Sequence, residues 1–207
     1  MSIYMKRKNS GRTGRSKGMP VLRAQTVFCL VRHGSTDWNI EGRIQGWTDT
    51  ELNDQGRKEA EEVGRRLRGQ GWEGIVASDL KRARETAEII GAELGLEVLL
   101  LPELRERRYG SLEGKNQAEV EQAYPGRRPD REIPGLESKA DLRIRAEQAF
   151  SFLARIFAGR RMIVVSHGGL LRAFLYQSLH TEEMTVANAE AIEVIFQEGN
   201  WRFSNFK

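Results

Sequence analysis

"TVFCLVRHGSTDWN", residues 26–39, decides the fold, because its character changes within two residues. From Thr26 to Val31 the side chains are apolar or β-branched, the composition of a strand buried on both faces. Arg32 and His33 then close the run, and a glycine, two hydroxyls, an acid and an amide follow. A strand that serves only packing has no use for such an ending. The device recurs at 161–169, where "RMIVV" runs into "SHGG" ahead of an apolar helix at 170–179. These are the only two His-Gly pairs in the chain, and they use two of its three histidines.

Between these turns, strand and helix patterns alternate. Asn53 caps an expected helix from about Asp54 to Arg68, with Ala60, Val63 and Leu67 on one face. A short strand at 74–77, a helix at 81–94 ending near Gly95, and a strand at 98–101 follow. The stretch from Glu103 to Leu136 is loose, with four glycines, three prolines and one short helix near 117–122, and substrate specificity is expected to reside there. A long helix from about Ser138 to Phe157 carries Leu142, Ala146, Ala149, Phe150, Leu153 and Ile156 at helical spacing. Residues 191–196 and 201–206 form an expected hairpin around Glu198-Gly199-Asn200. The alternation predicts a three-layer α/β/α sandwich with a mostly parallel central sheet. In such sheets ligands bind at the carboxyl ends of strands, where both histidine turns sit.

Composition narrows the functional classes. The 207 residues suit one domain, and no apolar run approaches the length a membrane helix requires. The net charge of +4 suggests nucleic acid until its location is considered. Lys6, Arg7, Lys8, Arg12, Arg15, Lys17 and Arg23 lie within residues 1–24, which contain no acid, and without these seven the chain has 26 bases against 29 acids. The domain at 25–207 is therefore not expected to bind nucleic acid. Residues 1–24 read as a basic, disordered extension. A solvated extension, an overlong start with Met19 as initiator, and a targeting or nucleic-acid-contacting arm are the readings open for it. The extension lacks the apolar core of a signal peptide, and a single cysteine, Cys29, fits a reducing compartment, so a cytoplasmic location is expected. Cys29 itself reads as core.

Paired histidine turns at strand ends suit phosphoryl transfer through a histidine. A neutral imidazole attacks phosphorus with one nitrogen while the other keeps its proton on a carbonyl, and a following glycine lets backbone come close. The phosphoryl oxygens need fixed positive charge, which arginine supplies. Arg32 qualifies by adjacency. Arg82, at the start of the 81–94 helix, is the second candidate, though by itself it reads as an exposed helix arginine beside Lys81 and Arg84.

Four stretches carry a resemblance: "LVRHGSTDWNIEGRIQGWTDTELNDQG" at 30–56, "ASDLKRARETA" at 77–87, "ELRERRYGSLEG" at 103–114 and "VVSHGG" at 164–169. In this order they resemble the histidine phosphatase superfamily, also called the phosphoglycerate mutase-like family, over nearly everything from Val27 onward. The resemblance implies that His33 is the nucleophile that becomes phosphohistidine, and that Arg32, Arg82 and His167 bind the phosphoryl oxygens. It implies Glu106 as the proton donor and acceptor, while Asp37, the other acid nearby, finds no support in the pattern. Asn39, Gln45, Gly46, Tyr109 and Gly168 are the implied substrate contacts. For Glu106 to hold a proton, Arg105, Arg107 and Arg108 must point away or meet substrate.

"YGSLEGKN" at 109–116 is close to the cofactor-dependent mutases. Gln117 stands where they place a lysine, Gly169 where they usually have asparagine, and the stretch from Glu106 to His167 is shorter than theirs. The compact length resembles the broad-specificity phosphatase branch. The expectation is a phosphatase of small phosphorylated metabolites, monomer or homodimer, using no metal and no cofactor. A mutase requiring bisphosphoglycerate and a non-catalytic phospho-ligand binder are the alternatives. Arg127 and Arg128 are expected either to contact a substrate anion or to be solvated. Trp47 reads as packing at the pocket rim, and His180 as a surface or helix-end residue.

Overall fold

The alternation of side chains along the first strand sorts the whole molecule into layers. Described by a computed structural model over residues 25–126, 132–181 and 184–204, the chain forms a six-stranded sheet. The strands are β1 (Thr26–Arg32), β2 (Gly74–Ala77), β3 (Val98–Leu100), β4 (Arg161–Ser166), β5 (Ala191–Gln197) and β6 (Asn200–Phe203). The helices are α1 (Asp37–Ile40), α2 (Asp54–Leu67), α3 (Lys81–Leu94), α4 (Gln117–Ala123), α5 (Lys139–Ile156) and α6 (Gly168–Leu179). The extension at 1–24, including Met19, and the pair Arg127 and Arg128 lie outside the described residues.

Phe28 and Leu30 of β1 point to one face, with Val76, Met162 and Val164, and meet α5 and α6. Val27, Cys29 and Val31 point to the other, with Ile75, Ala77, Ile163 and Val165, and meet α2 and α3. Every one of these residues is buried, so the period-two pattern feeds two cores at once. The first core has an aromatic centre in which Phe150 stacks on Phe174 at 3.8 Å and Trp201 meets Phe174 edge-on at 4.9 Å. Burial pushes the Cys29 thiol up to about 12, as expected of an inert core cysteine. No helix among the described residues is long and apolar enough to cross a membrane.

The sheet order is β3-β2-β4-β1-β5-β6, with the first four strands parallel and β5 and β6 antiparallel at one edge. In the β1–β4 register Arg32 stands opposite Ser166, and the His33 N–H donates to the Ser166 carbonyl at 2.9 Å. The two histidine turns are therefore level with each other. The hairpin turns over Glu198 and Gly199 alone, both at positive φ (53° and 84°), so Asn200 belongs to β6. Helix α6 starts at Gly168, two residues before the apolar run, because its first turn is spent on glycine.

Gly34 and Gly56 let the loop after β1 lie directly against the first turn of α2. A Cβ on Gly34 would overlap the Gly56 carbonyl, and one on Gly56 would overlap the Ser35 carbonyl. Gly56→Ala is expected to destabilise the protein by about 1–3 kcal/mol, the range for overpacking, as measured by urea denaturation.

Candidate active site

His33 is buried where β1 ends, and its Nδ1 lies 2.7 Å from the Gly34 carbonyl oxygen. A carbonyl only accepts, so Nδ1 carries the proton and Nε2 keeps its lone pair. Burial, reinforced by Arg82 and Arg32, pushes the imidazole well below the ordinary histidine range. The ring is thus neutral, with its unprotonated nitrogen facing the Arg82 Nε–H at 3.3 Å.

Arg82 is fully buried, so it is not the exposed helix arginine that its neighbours suggest. Lys81 and Arg84 take that role, pairing with Glu51 and Glu88. The Arg82 guanidinium donates to the carbonyls of Gly46 at 2.8 Å and Thr48 at 3.0 Å. Burial lowers it to about 10, so it remains cationic at neutral pH. The loop supplying those carbonyls is itself held by Glu113, whose carboxylate accepts from the Trp47 N–H, the Thr48 hydroxyl and the Tyr109 N–H.

His167, where β4 ends, is fully buried, with its ring centroid 5.2 Å from that of His33. Its Nε2 lies 2.8 Å from the Ser78 hydroxyl, and its Nδ1 has no protein partner. Arg32 donates from Nη1 to the Val186 carbonyl at 2.8 Å, and its Nε is likewise buried without a partner. Two buried donor or acceptor positions left unpaired at one site are costly unless a ligand meets them.

Glu106 comes from the loop after β3 and lines a cavity together with Arg32 and Gly168. Its carboxylate accepts from the N–H groups of Arg107, Gly169 and Leu170 at 2.7, 2.9 and 3.1 Å, the last two at the start of α6. A Cβ at 169 would overlap this carboxylate as it stands, so a larger residue there would oblige the Glu106 side chain to shift. The neighbouring arginines turn aside. Arg105 pairs with Asp79, Arg107 lies over the Tyr109 ring and donates to the Glu137 carbonyl, and Arg108 lies over Trp47. Trp47 is more than rim packing, because its indole N–H donates to the Glu106 carbonyl at 2.7 Å. Arg145 of α5 holds the same loop, donating to the carbonyls of Glu103, Arg105 and Glu106.

The remaining expected contacts are less direct. The Asn39 Oδ1 is committed to the N–H and hydroxyl of Thr36, closing a capping box on α1. Gln45 is buried and accepts from the Thr50 hydroxyl, while Gly46 serves Arg82 through its carbonyl. Gly168 packs on Arg32, where a Cβ would come within 3.3 Å of Nε. Asp37 is exposed at the start of α1. His180 ends α6 in the left-handed region at φ 55°. Ser78, Glu113, Arg145 and Asn188, whose amide donates to the His33 carbonyl at 3.0 Å, carried no local signal in the sequence.

The cavity at Glu106, of about 190 Å³, is also lined by Gly169 and Arg172 and lies beside the Arg32 and Glu106 side of the site. Among the described residues no group of three or more His, Cys, Asp or Glu is placed to hold a metal ion. The sequence profile of the histidine phosphatase superfamily (branch 1) matches residues 28–207. The chain belongs to this superfamily. This histidine phosphatase is 33% identical to the uncharacterized phosphatase PhoE of Bacillus subtilis over 87% of its own length and 94% of the relative's. It is 44% identical to phosphoglycerate mutase-like protein 4 of Arabidopsis thaliana, over 72% of its length and 68% of that protein. The solved structure of Bacillus stearothermophilus YhfR superposes with a TM-score of 0.80 at 27% identity, covering 86% of this chain and 95% of that one. The α/β/α sandwich of the histidine phosphatases is thus the fold of this chain.

Both site histidines are held neutral by burial, which fixes a pH dependence. In the unfolded chain they take up protons below about pH 6.5, while in the folded protein they do so only at much lower pH, so the unfolded state binds more protons in between. Stability is expected to fall as pH drops below about 6.5, by up to about 1.4 kcal/mol per pH unit for each histidine. Denaturation midpoints between pH 5 and 7.5 measure this slope, and His33→Gln should reduce it.

Proposed function

We propose that this histidine phosphatase hydrolyses phosphate monoesters in two steps through a phosphohistidine on His33. The observation that carries the reading is the His33 tautomer. Its Nδ1 is tied to the Gly34 carbonyl, and its free Nε2 faces a buried guanidinium. In the first step Nε2 attacks phosphorus, the N–P bond forms and the P–O ester bond breaks, with Glu106 giving a proton to the departing alkoxide. In the second, water attacks phosphorus, Glu106 takes its proton, the N–P bond breaks and inorganic phosphate leaves.

The surrounding donors support both steps. The Arg82 Nε–H already points at the reacting nitrogen, where an incoming phosphoryl group would bring its equatorial oxygens. The unpartnered Arg32 Nε supplies a second charged donor. Ser78 Oγ accepts from the Leu80 N–H at 3.3 Å, so its own proton is available to His167 Nε2. His167 Nδ1 then carries the ring proton and donates to a phosphoryl oxygen. The chemistry assigns both histidines and Glu106 to substrate and requires no metal. Small phosphorylated metabolites are the substrate class, and a cytoplasmic location fits such substrates.

A mutase reading is kept because of the likeness to a phosphoglycerate mutase-like relative. The same centre would then return the phosphoryl group to a bound phosphoglycerate instead of to water. Incubation with 4-nitrophenyl phosphate, and separately with 3-phosphoglycerate plus bisphosphoglycerate, both with chelator, distinguishes the readings. Release of inorganic phosphate without isomerised product is expected. Faster isomerisation would favour the mutase, and loss of activity on chelation would contradict the metal-free route. Glu106→Gln should lower kcat/KM for an alkyl phosphate by about 10²–10⁴-fold, the usual value of general acid catalysis, and much less for 4-nitrophenyl phosphate, whose leaving group needs no proton.

A further inference from the structure

Residues 46–48 serve two groups at once. The carbonyls of Gly46 and Thr48 hold the Arg82 guanidinium, and the side chain of Trp47, between them in sequence, donates its indole N–H to the Glu106 carbonyl at 2.7 Å. One short loop therefore touches both the guanidinium beside His33 and the backbone that carries Glu106.

Core burial does not account for this tryptophan. It remains 37% exposed, and it is not among the residues lining the cavity beside Glu106. Its ring and indole N–H meet the stretch 105–108, with the guanidinia of Arg105 and Arg108 over the ring at 4.8 and 5.6 Å from its centroid. Arg145 of α5 donates to the same Glu106 carbonyl at 3.1 Å, so both acceptor positions of that oxygen are occupied, the shorter bond coming from Trp47. Proton transfer requires the carboxyl group within hydrogen-bond reach of the leaving oxygen, and a shift of about 1 Å costs up to about 10²-fold. Glu113 holds the 46–48 loop separately, accepting from the Trp47 main-chain N–H and the Thr48 hydroxyl. Loss of the indole N–H alone should therefore leave the carbonyls on Arg82 in place.

We propose that Trp47 is a positioning residue for proton transfer, acting through the Glu106 backbone to set the carboxyl group against the leaving oxygen without touching substrate itself. The inference rests on the reading of Glu106 as proton donor and deepens it. A purely structural role would slow every substrate alike. A positioning role slows only those whose leaving group needs the proton.

Two esters of similar shape separate these: 4-nitrobenzyl phosphate, whose alkoxide needs a proton to leave, and 4-nitrophenyl phosphate, whose phenolate does not. Trp47→Phe keeps an aromatic ring and removes the N–H. It should lower kcat/KM for the benzyl ester by about tenfold, the worth of one hydrogen bond, and leave the phenyl ester and inhibition by inorganic phosphate near their original values. Added to Glu106→Gln it should cost nothing further with the benzyl ester, because the group it positions is gone. The ratio of the two esters is read on one sample, so it does not depend on the folded fraction. Benzothienylalanine at position 47, with the shape of the indole but no N–H, serves if Trp47→Phe does not fold. An equal loss with both esters, no loss with either, or a further loss on top of Glu106→Gln would overturn the proposal. If Glu106→Gln itself slows both esters equally, or the unaltered protein releases no phosphate, the proton-donor reading fails and the inference falls with it. Selectivity in Glu106→Gln but not in Trp47→Phe overturns the inference alone.

Discussion

The pairing of β1 with β4 is the constraint on which the rest of the molecule depends. Two parallel strands in register, each ending in a histidine, place His33 and His167 level at the carboxyl edge of the sheet. A slip of one residue would turn every side chain of β1 to the opposite core and carry His33 away with it. The same hydrophobic alternation that builds two cores therefore also sets the geometry of the site. Packing and chemistry share one register.

Around that pair the protein buries positive charge and fixes it with carbonyls. Arg82 meets Gly46 and Thr48, and Arg32 meets Val186, so neither guanidinium is neutralised by a carboxylate among these partners. A buried cation held by neutral dipoles keeps its full field for an incoming anion. Burial, reinforced by that charge, keeps both imidazoles neutral, as the proposed nucleophile and donor require. Holding this arrangement without substrate costs stability, and the surrounding loops supply the restraint. Glu113 ties down the 46–48 loop, while Arg145 and Trp47 fix the backbone of Glu106.

Much of this was legible in the sequence where the signal was local. The strands, the capped helices α2 and α5, and the two histidine turns follow from period, caps and composition within short windows. The burial of Arg82 was not legible, because its sequence neighbours Lys81 and Arg84 reach surface ion pairs while His33 and the distant 46–48 loop meet Arg82. Ser78, Glu113, Arg145 and Asn188 act across 39 or more positions in sequence, as the pairs Ser78 with His167, Glu113 with Trp47, Arg145 with Glu106 and Asn188 with His33 show. Nothing in their own surroundings distinguishes them from ordinary polar residues. Gly169 illustrates the converse. In sequence it is a departure from the mutase pattern, and in the structure it is what admits the Glu106 carboxylate to the start of α6.

The central claim is that His33 attacks through Nε2 because Nδ1 is held by the Gly34 carbonyl. Its most direct test is to quench the enzyme in base during turnover of an aryl phosphate and to locate the phosphoryl group by mass spectrometry and phosphorus NMR. One phosphoryl group per chain, on Nε2 of His33, is expected. A phosphoryl group on Nδ1 or on His167, or no phosphoenzyme under rapid quenching while phosphate is released, would contradict it.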